Sequence, residues 1–263
     1  MTDPNHAALA GYDDEFYDEI DQPGVRAGRI VLPLLGPLLE DASVVDVGCG
    51  RGSWLAAARD CGARSVVGLD GPHVDLGTTA LAANEFKAVD LETPLPSDLG
   101  RFDLAISLEV AEHLSVTRAH SFVSDLCRLS EVVLFSAAIP GQGGRHHVNE
   151  QWPGYWTALF RGEGFRALDI IRPQIWSLDD VPAYYRQNIV IYAASERVAP
   201  LLQGAEIGVE TGARDLVHPE IWRERIARRP PPLRPGVRTS IGLTLSALRR
   251  SVEARTNRRR PPT

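Results

Sequence analysis

Residues 44–52 read Val-Val-Asp-Val-Gly-Cys-Gly-Arg-Gly. The mostly apolar run predicts a buried strand, and the glycines after it predict a tight turn at which the backbone comes close to a ligand. In a doubly wound α/β sheet such a turn joins the first strand to a helix, and the ligand lies beyond the carboxyl end of that strand. The stretch therefore predicts a Rossmann-like fold with a small-molecule site.

The spacing of the glycines favours a ligand other than a dinucleotide. A dinucleotide fingerprint reads Gly-x-Gly-x-x-Gly and places a pyrophosphate at the helix N-terminus. Here the spacing is Gly-x-Gly-x-Gly, and Asp46 precedes the first glycine by two residues. A carboxylate at this position suits a ligand that carries an ammonium group rather than phosphates.

From residue 43 to about residue 194, apolar runs of strand type alternate with helical patterns, which is typical of βαβ units. A helix over residues 25–39 is expected to kink or break at its prolines. The other predicted helices lie near residues 53–60, 116–129 and 155–161. Strands are predicted at residues 44–47, 65–69, 86–89, 102–107, 131–137, 165–171 and 188–193, the first five of them buried on both faces.

Carboxylates follow two further predicted strands. Asp70 follows the strand at residues 65–69, and Asp90, with Leu91 beside it, follows the next one. Because the carboxyl ends of parallel strands meet at one edge of the sheet, we expect both acids on the side of the glycine turn. A carboxylate at Asp70 can accept both hydroxyls of a ribose, and one at Asp90 can accept an adenine amino group.

The glycine turn, Asp70 and Asp90 are three sequence marks of a ligand site. The fourth mark is residues 102–114, which read Phe-Asp-Leu-Ala-Ile-Ser-Leu-Glu-Val-Ala-Glu-His-Leu. Any single mark also fits a turn with surface acids in another α/β protein. In this order and with these gaps, the four marks resemble the class I S-adenosylmethionine-dependent methyltransferases over roughly residues 40–195. The resemblance implies that S-adenosylmethionine is the cofactor. It also implies a Rossmann-like, doubly wound sheet of seven strands, mostly parallel, with the last strand antiparallel.

The resemblance also implies the cofactor contacts. They are Asp46, Gly48 and Gly50 for the methionine end, Asp70 for the ribose, Asp90 and Leu91 for the adenine, and Leu108 and Glu109 for the sulfonium side. Further contacts are expected from Cys49, Gly71, His113 and Tyr17, the last in an aromatic lead-in that folds over the cofactor.

Residues 136–156 form a glycine-rich loop at the same edge and are expected to bind the acceptor. His147 is the favoured general base, with His146 as second choice and Glu150 as a catalytic partner. The expected acceptor-binding residues are Arg145, Trp152, Tyr155 and Trp156. Three alternatives stay open: the histidines only close the loop, Glu150 is a carboxylate of the first helical turn, and the tryptophans pack in the core.

The loop also resembles methyltransferases of glycan and glycosylated-metabolite pathways, in its Ile-Pro-Gly-Gln-Gly-Gly run, its His-Val-Asn-Glu-Gln-Trp-Pro run and a Tyr-Trp pair. This resemblance implies O-methylation of a sugar hydroxyl on a polysaccharide or a glycosylated metabolite. The alternatives are N-, C- or phenol-O-methylation of another small molecule, and a noncatalytic cofactor-binding protein. A noncatalytic protein is expected to have lost the glycines or the strand-end acids, and both are present.

A divalent metal such as Mg²⁺ is an alternative that the sequence does not favour, and no metal ligand is assigned. It would require Glu109, Glu112, His113, His147 and Glu150 to converge, and sequence spacing alone does not establish convergence.

The chain has 263 residues and a net charge of −6, which suits one sizeable domain with extensions. We expect cap helices over residues 1–40, the methyltransferase domain over 41–197 and a C-terminal extension over 198–263. Three unevenly spaced cysteines and the lack of a secretion signal indicate a cytoplasmic protein. The acidic body argues against nucleic-acid binding. The arginine-rich tail is expected to be partly disordered, and peripheral membrane contact through its amphipathic residues 241–255 is the alternative.

Overall fold

The computed structural model describes residues 14–202 and 213–227 of the chain, with side chains at residues 23–198, 201 and 213–227. The chain forms two compact units, residues 1–222 and 223–263, and the second is described only at residues 223–227. The side chain of Tyr17 and the basic segment 241–255 lie outside the described residues. Within the described part, no helix is both long and apolar enough to cross a membrane.

A single seven-stranded sheet organises the first unit. Its strand order is β3-β2-β1-β4-β5-β7-β6. The first five strands run parallel, and β7 is antiparallel to both β5 and β6. The strands are β1 (Ser43–Val47), β2 (Ser65–Asp70), β3 (Phe86–Ala88), β4 (Leu104–Leu108), β5 (Val132–Ser136), β6 (Phe165–Leu168) and β7 (Val190–Ala194). This architecture confirms the predicted fold class.

The strand order reverses between β1 and β4, and ligands of doubly wound sheets bind in the crevice at such a point. The α-helices are α1 (Asp14–Val31), α2 (Ser53–Asp60), α3 (Ala119–Leu129), α4 (Pro153–Gly162), α5 (Arg172–Ile175), α6 (Ala183–Asn188), α7 (Ser195–Leu202) and α8 (Pro219–Ala227). Short 3-10 turns lie between them, including Ala111–His113 directly after β4.

The predicted break in the first helix is confirmed, although the helix begins earlier than predicted. The α-helical part ends at Val31, and a 3-10 stretch, Leu32–Leu39, follows. Within that stretch Gly36 has φ 59° and ψ −137°, outside helical geometry.

Each face of the sheet carries its own apolar core, because successive strand residues point to opposite faces. In β5, for example, Val132 and Leu134 join one cluster, whereas Val133 and Phe135 join the other. Helices α1 and α2 pack in the first cluster, and α3 and α4 pack in the second. The strands β1, β4 and β5 are buried on both faces, as predicted. The edge strand β3 is largely exposed, which corrects the prediction for that strand.

The predicted boundaries of β6 and β7 were wrong, and burial of the residues next to each strand explains both. The strand predicted at residues 165–171 ends at Leu168, although Ile170 and Ile171 are buried. The strand predicted from residue 188 begins at Val190, because Asn188 is the last residue of α6. Apolar residues that enter the core beyond a strand give the same sequence signal as the strand itself.

Phe160 provides a test of the core on the α4 face. It is fully buried, and its ring stacks on that of Tyr192 with centroids 3.9 Å apart. We expect Phe160→Ala to lower the free energy of unfolding by about 3–5 kcal/mol in urea denaturation, because the site cannot collapse around the lost ring. The exposed neighbour Arg161 is the control, and Arg161→Ala should change stability by no more than about 0.5 kcal/mol. Equal stabilities for the two variants would contradict this packing.

Candidate active site

The glycine turn between β1 and α2 requires glycine for two separate reasons. Gly48 and Gly52 have φ values of 85° and 82°, a region that other residues rarely adopt. In addition, a Cβ on Gly48 would lie 2.3 Å from Cγ2 of Val110. The Gly48 N–H donates to the carbonyl of Leu69 at 2.8 Å and so ties the turn to β2. The turn is thereby held at the carboxyl edge of the sheet, as predicted.

Asp70 joins the two loops that follow β1 and β2. Its Oδ2 accepts the Gly50 N–H at 2.7 Å, and its Oδ1 accepts the Gly71 N–H at 2.6 Å. Burial raises the pKa of Asp70, and these two hydrogen bonds partly oppose that effect. Each carboxylate oxygen retains a further lone pair, so Asp70 can still accept hydrogen bonds from a ligand.

His73 is a neighbour of Asp70 that the sequence did not single out. Its Nε2 lies 3.7 Å from Asp70 Oδ1. A Cβ on Gly71 would lie 2.4 Å from His73 Nδ1, so the ring packs directly on Gly71. A lone histidine in a turn carries no sequence signal that distinguishes it from an ordinary polar residue.

Asp46 and Cys49 have their side chains inside the protein. Asp46 is 3% exposed, and burial together with the charge of Asp70 raises its pKa well above the usual range. The Cys49 Sγ packs against Gly68, and burial raises the pKa of the thiol. Cys49 therefore offers a ligand its backbone rather than its sulfur. The two buried acids favour a cationic ligand, because a pyrophosphate would add to their repulsion.

The remaining predicted cofactor residues follow neighbouring strands. Asp90 is exposed just beyond β3, and its Oδ1 accepts the Glu92 N–H at 3.0 Å. Leu91 is half-buried, and its carbonyl accepts a hydrogen bond from Arg118 Nε. Leu108 is buried at the end of β4. These positions lie beyond β3 and β4 on the edge that carries the glycine turn.

Glu109 follows β4 in a backbone conformation that is unusual for this residue type. Its φ is 56°, a form of strain that concentrates at functional sites. Its carboxylate accepts Asn188 Nδ2 at 3.0 Å and Gln142 Nε2 at 2.9 Å. Burial raises the pKa of Glu109, and the bonds from Asn188 and Gln142 oppose that rise. Neither amide residue was predicted, since Gln142 had no assigned role and Asn188 was placed in a strand.

The segment around His147 is fastened to the 3-10 turn Ala111–His113. The carbonyl of Glu112 accepts the N–H groups of Val148 and Asn149 at 2.9 and 3.0 Å. The rings of His113 and His147 consequently meet edge to face, with centroids 4.9 Å apart. His113 was predicted to contact the cofactor, and its ring contact in the structure is with His147.

Of the two adjacent histidines, His147 faces the interior. Its Nδ1 lies 3.0 Å from Glu150 Oε1, whereas His146 and Arg145 are exposed. Glu150 also accepts the N–H groups of Gly141 and Gly143, each at 2.6 Å. Burial raises the pKa of Glu150, but these hydrogen bonds outweigh it and hold the pKa below the usual value. Glu150 therefore closes the loop, and the alternative of a first-turn helix carboxylate is wrong because α4 begins at Pro153.

Glu112 and His113 lie with Glu109, His147 and Glu150 in a group that we call the acid–histidine cluster. The Glu112 side chain is 0% exposed, and neither carboxyl oxygen makes a hydrogen bond of good geometry. The backbone N–H of Ala138 lies nearby and acts to lower the pKa of Glu112. Burial and the neighbouring Glu109 raise the pKa of Glu112 well above the usual range. Burial and the charges of His147 and His146 lower the pKa of His113 to about 4, so its imidazole is neutral at pH 7.

Fewer aromatic side chains are available to an acceptor than the sequence predicted. Trp156 is 2% exposed and packs against Phe135 with ring centroids 5.3 Å apart, so it is a core residue. This corrects its predicted role, because a ring enclosed by the core offers no face to an acceptor. Tyr155 is half-buried against Trp156, and Trp152 is 38% exposed just before α4. Of the three aromatic residues, Trp152 and Tyr155 remain candidates for acceptor contact, as does the exposed Arg145.

A doubly wound sheet whose glycine turn adjoins buried acids defines an enzyme that binds a cationic nucleoside cofactor at this edge. Residues 17–168, more than half of the chain, match the family model described as a methyltransferase domain. The chain therefore belongs to the methyltransferase domain family. Membership in this family agrees with the S-adenosylmethionine-dependent methyltransferase that the sequence predicted.

Individual relatives are distant. The chain is 39% identical over 82 residues to the ribosomal protein L11 methyltransferase of Methylobacillus flagellatus, a match that spans 29% of this chain and 26% of that relative. An O-methyltransferase family protein from Burkholderia thailandensis superposes with a TM-score of 0.51 at 14% identity, covering 73% of this chain and 63% of its own. The structure of TnmH superposes with a TM-score of 0.50 at 16% identity, covering 73% of this chain and 62% of its own. These two likenesses support the fold alone.

Asp70→Ala tests the assignment of the cofactor site. A carboxylate that accepts ribose hydroxyls contributes about 1.5–3 kcal/mol per hydrogen bond, so the variant should bind S-adenosylmethionine at least about tenfold more weakly in calorimetry. Asp98→Ala is the matched control, because Asp98 is exposed and 3.6 Å from Lys87, with no part in the site. An affinity unchanged in Asp70→Ala would remove Asp70 from the cofactor site.

Proposed function

We propose that this enzyme methylates a hydroxyl of a sugar, carried on a polysaccharide or on a glycosylated metabolite. The supporting observation is the acid–histidine cluster, in which Glu109, Glu112 and His113 follow β4 and His147 and Glu150 come from the loop after β5. A sugar hydroxyl is a poor nucleophile until it loses its proton, and such a cluster can assist that loss. An unprotonated amine needs no such assistance, which makes N-methylation the less suitable alternative.

The polar character of the cluster also favours a sugar over a phenol. The Glu109 carboxylate accepts hydrogen bonds from the side-chain amides of Gln142 and Asn188. A planar phenol binds best between apolar or aromatic walls, whereas a sugar presents many hydroxyls that need hydrogen-bond partners. Trp152, partly exposed beside the loop, can stack on the apolar face of a sugar ring.

The reaction follows from placing the acceptor oxygen in line with the sulfonium methyl group. The bond from the methyl carbon to sulfur breaks as the bond to oxygen forms, and S-adenosylhomocysteine leaves as a neutral thioether. His147 is the residue that we assign to activating the hydroxyl. An imidazole can do this by taking the proton itself, as the sequence suggests, or by holding a cation that makes the hydroxyl more acidic.

His147→Ala tests this assignment, whichever of the two routes operates. We expect kcat to fall by about 100-fold or more, because that is the usual contribution of a group that assists proton removal. The dissociation constant for S-adenosylmethionine should stay within about twofold, since His147 is assigned to the acceptor side. His146→Ala is the control, because His146 is adjacent but exposed, and its kcat should change little. Parallel loss of turnover and cofactor binding in His147→Ala would instead make the residue structural.

The acceptor class is tested by incubating the purified chain with S-adenosylmethionine and three acceptor sets: glycosides, phenols and primary amines. Release of S-adenosylhomocysteine measures turnover, and mass spectrometry of the acceptor locates the added methyl group. Methylated glycosides are the expected product. Turnover of phenols or amines with none of the glycosides would contradict the proposal.

A further inference from the structure

Three side chains in the acid–histidine cluster have the composition and spacing of a metal site. Glu112, His113 and His147 each place one ligand atom within 4.8 Å of the other two. Two come from the 3-10 turn after β4, and the third comes from the loop fastened to that turn. A small inward movement of these side chains would bring all three atoms to the distances at which first-row metal ions bind nitrogen and oxygen ligands.

Glu112 gives independent support for a bound cation. Its carboxyl group is completely buried, and neither oxygen has a hydrogen-bond partner. A buried polar group without a partner is unfavourable and is rare in folded proteins. Protonation would allow one hydrogen bond, shared with the neighbouring Glu109 carboxyl, but it would leave the second Glu112 oxygen without a partner. A metal ion beside the carboxylate would supply the missing interaction.

Each imidazole makes a hydrogen bond of the kind that metal-binding histidines make. His147 Nδ1 bonds with Glu150 Oε1 at 3.0 Å, and the His113 ring donates to the backbone carbonyl of His146. Metal-binding histidines almost always bond a carboxylate or a carbonyl through the nitrogen that does not bind the metal. The other nitrogen of His147, Nε2, packs against Gly144. A Cβ added to Gly144 would lie 2.2 Å from that nitrogen.

We propose that Glu112, His113 and His147 bind one divalent first-row metal ion, and that this ion binds hydroxyl oxygens of the acceptor. Two imidazoles and a carboxylate suit Mn²⁺, Co²⁺ or Zn²⁺ better than Ca²⁺ or Mg²⁺, which favour oxygen ligands. Three protein ligands leave coordination positions open, and two neighbouring sugar hydroxyls can fill them. The part of this proposal that concerns the acceptor rests on the proposed function.

The ion would assist methyl transfer by making the acceptor hydroxyl more acidic and by fixing its orientation. The hydroxyl proton passes to solvent, the oxygen forms its bond to the methyl carbon, and the electrons of the broken carbon–sulfur bond stay on sulfur. In this mechanism His147 is a metal ligand, which revises its predicted role as a free general base.

The test is direct binding of Mn²⁺ to the full chain after treatment with EDTA, measured by calorimetry and by electron paramagnetic resonance. Wild type should bind one ion per chain. Glu112→Gln and His113→Gln should each weaken that binding by about tenfold or more, because a ligand is lost. Glu163→Gln is the matched control, because Glu163 is exposed and remote in sequence, and its Mn²⁺ affinity should equal that of wild type. Binding of S-adenosylmethionine by each variant verifies that it is folded.

Metal binding needs no acceptor, so this result is independent of the proposed function. Stoichiometric Mn²⁺ binding that both substitutions weaken would establish the site even if no glycoside is methylated. Folded wild type that binds neither Mn²⁺ nor Zn²⁺ would overturn the metal proposal and leave Glu112 as a buried neutral acid. Methylation of a glycoside that continues undiminished after complete metal removal would also overturn it while upholding the proposed function.

Discussion

Repulsion among carboxyl groups is the constraint on which this site depends. Five acids lie at the carboxyl edge of the sheet, in strand ends or in the loops beyond them, and the buried ones have raised pKa values. They are Asp46, Asp70, Glu109, Glu112 and Glu150. Such a concentration of acids is unfavourable in isolation, because burial and like charges both oppose ionisation. This concentration of acids becomes favourable when a cationic ligand binds among them. S-adenosylmethionine, with its sulfonium and ammonium groups, is such a ligand.

The same constraint divides the site into two parts. Asp46 and Asp70 adjoin the glycine turn, and Asp70 accepts backbone N–H groups from the loops after β1 and β2. Glu109 and Glu112 lie after β4, where amides and histidines surround them. The first part suits a ligand with a positive charge and a ribose. The second part suits an acceptor rich in hydroxyls, and it is also the part in which we propose a metal ion.

The sequence was sufficient for the first part because the required information is local. Gly48 must be glycine on account of its own φ and the adjacent Val110, and Asp70 lies at the end of a strand that the apolar pattern identifies. Both signals appear within a few residues of the chain. The fold class follows from the same alternation of strands and helices, including the turn that marks the switch point.

The second part depends on contacts between distant segments, which the pattern of residues does not reveal. His113 and His147 meet because the Glu112 carbonyl accepts two N–H groups from the loop. Asn188 reaches Glu109 from the end of a helix that the sequence did not predict, and Asn188 itself was expected to begin a strand. Trp156 was expected near the acceptor because it lies in a loop rich in polar and aromatic residues, whereas its spacing from Trp152 indicated the core-packing alternative that the structure shows. A shared fold does not specify the acceptor either, because many reactions use the same sheet.

The central claim is that the edge of the sheet beyond β1 and β2 binds a cationic methyl donor rather than a phosphate-bearing dinucleotide. Calorimetric titration of the purified chain with S-adenosylmethionine and, separately, with NAD⁺ tests it most directly. The account predicts a dissociation constant of about micromolar order for S-adenosylmethionine and no detectable heat of binding for NAD⁺. Folded protein that binds NAD⁺ but not S-adenosylmethionine would contradict the account.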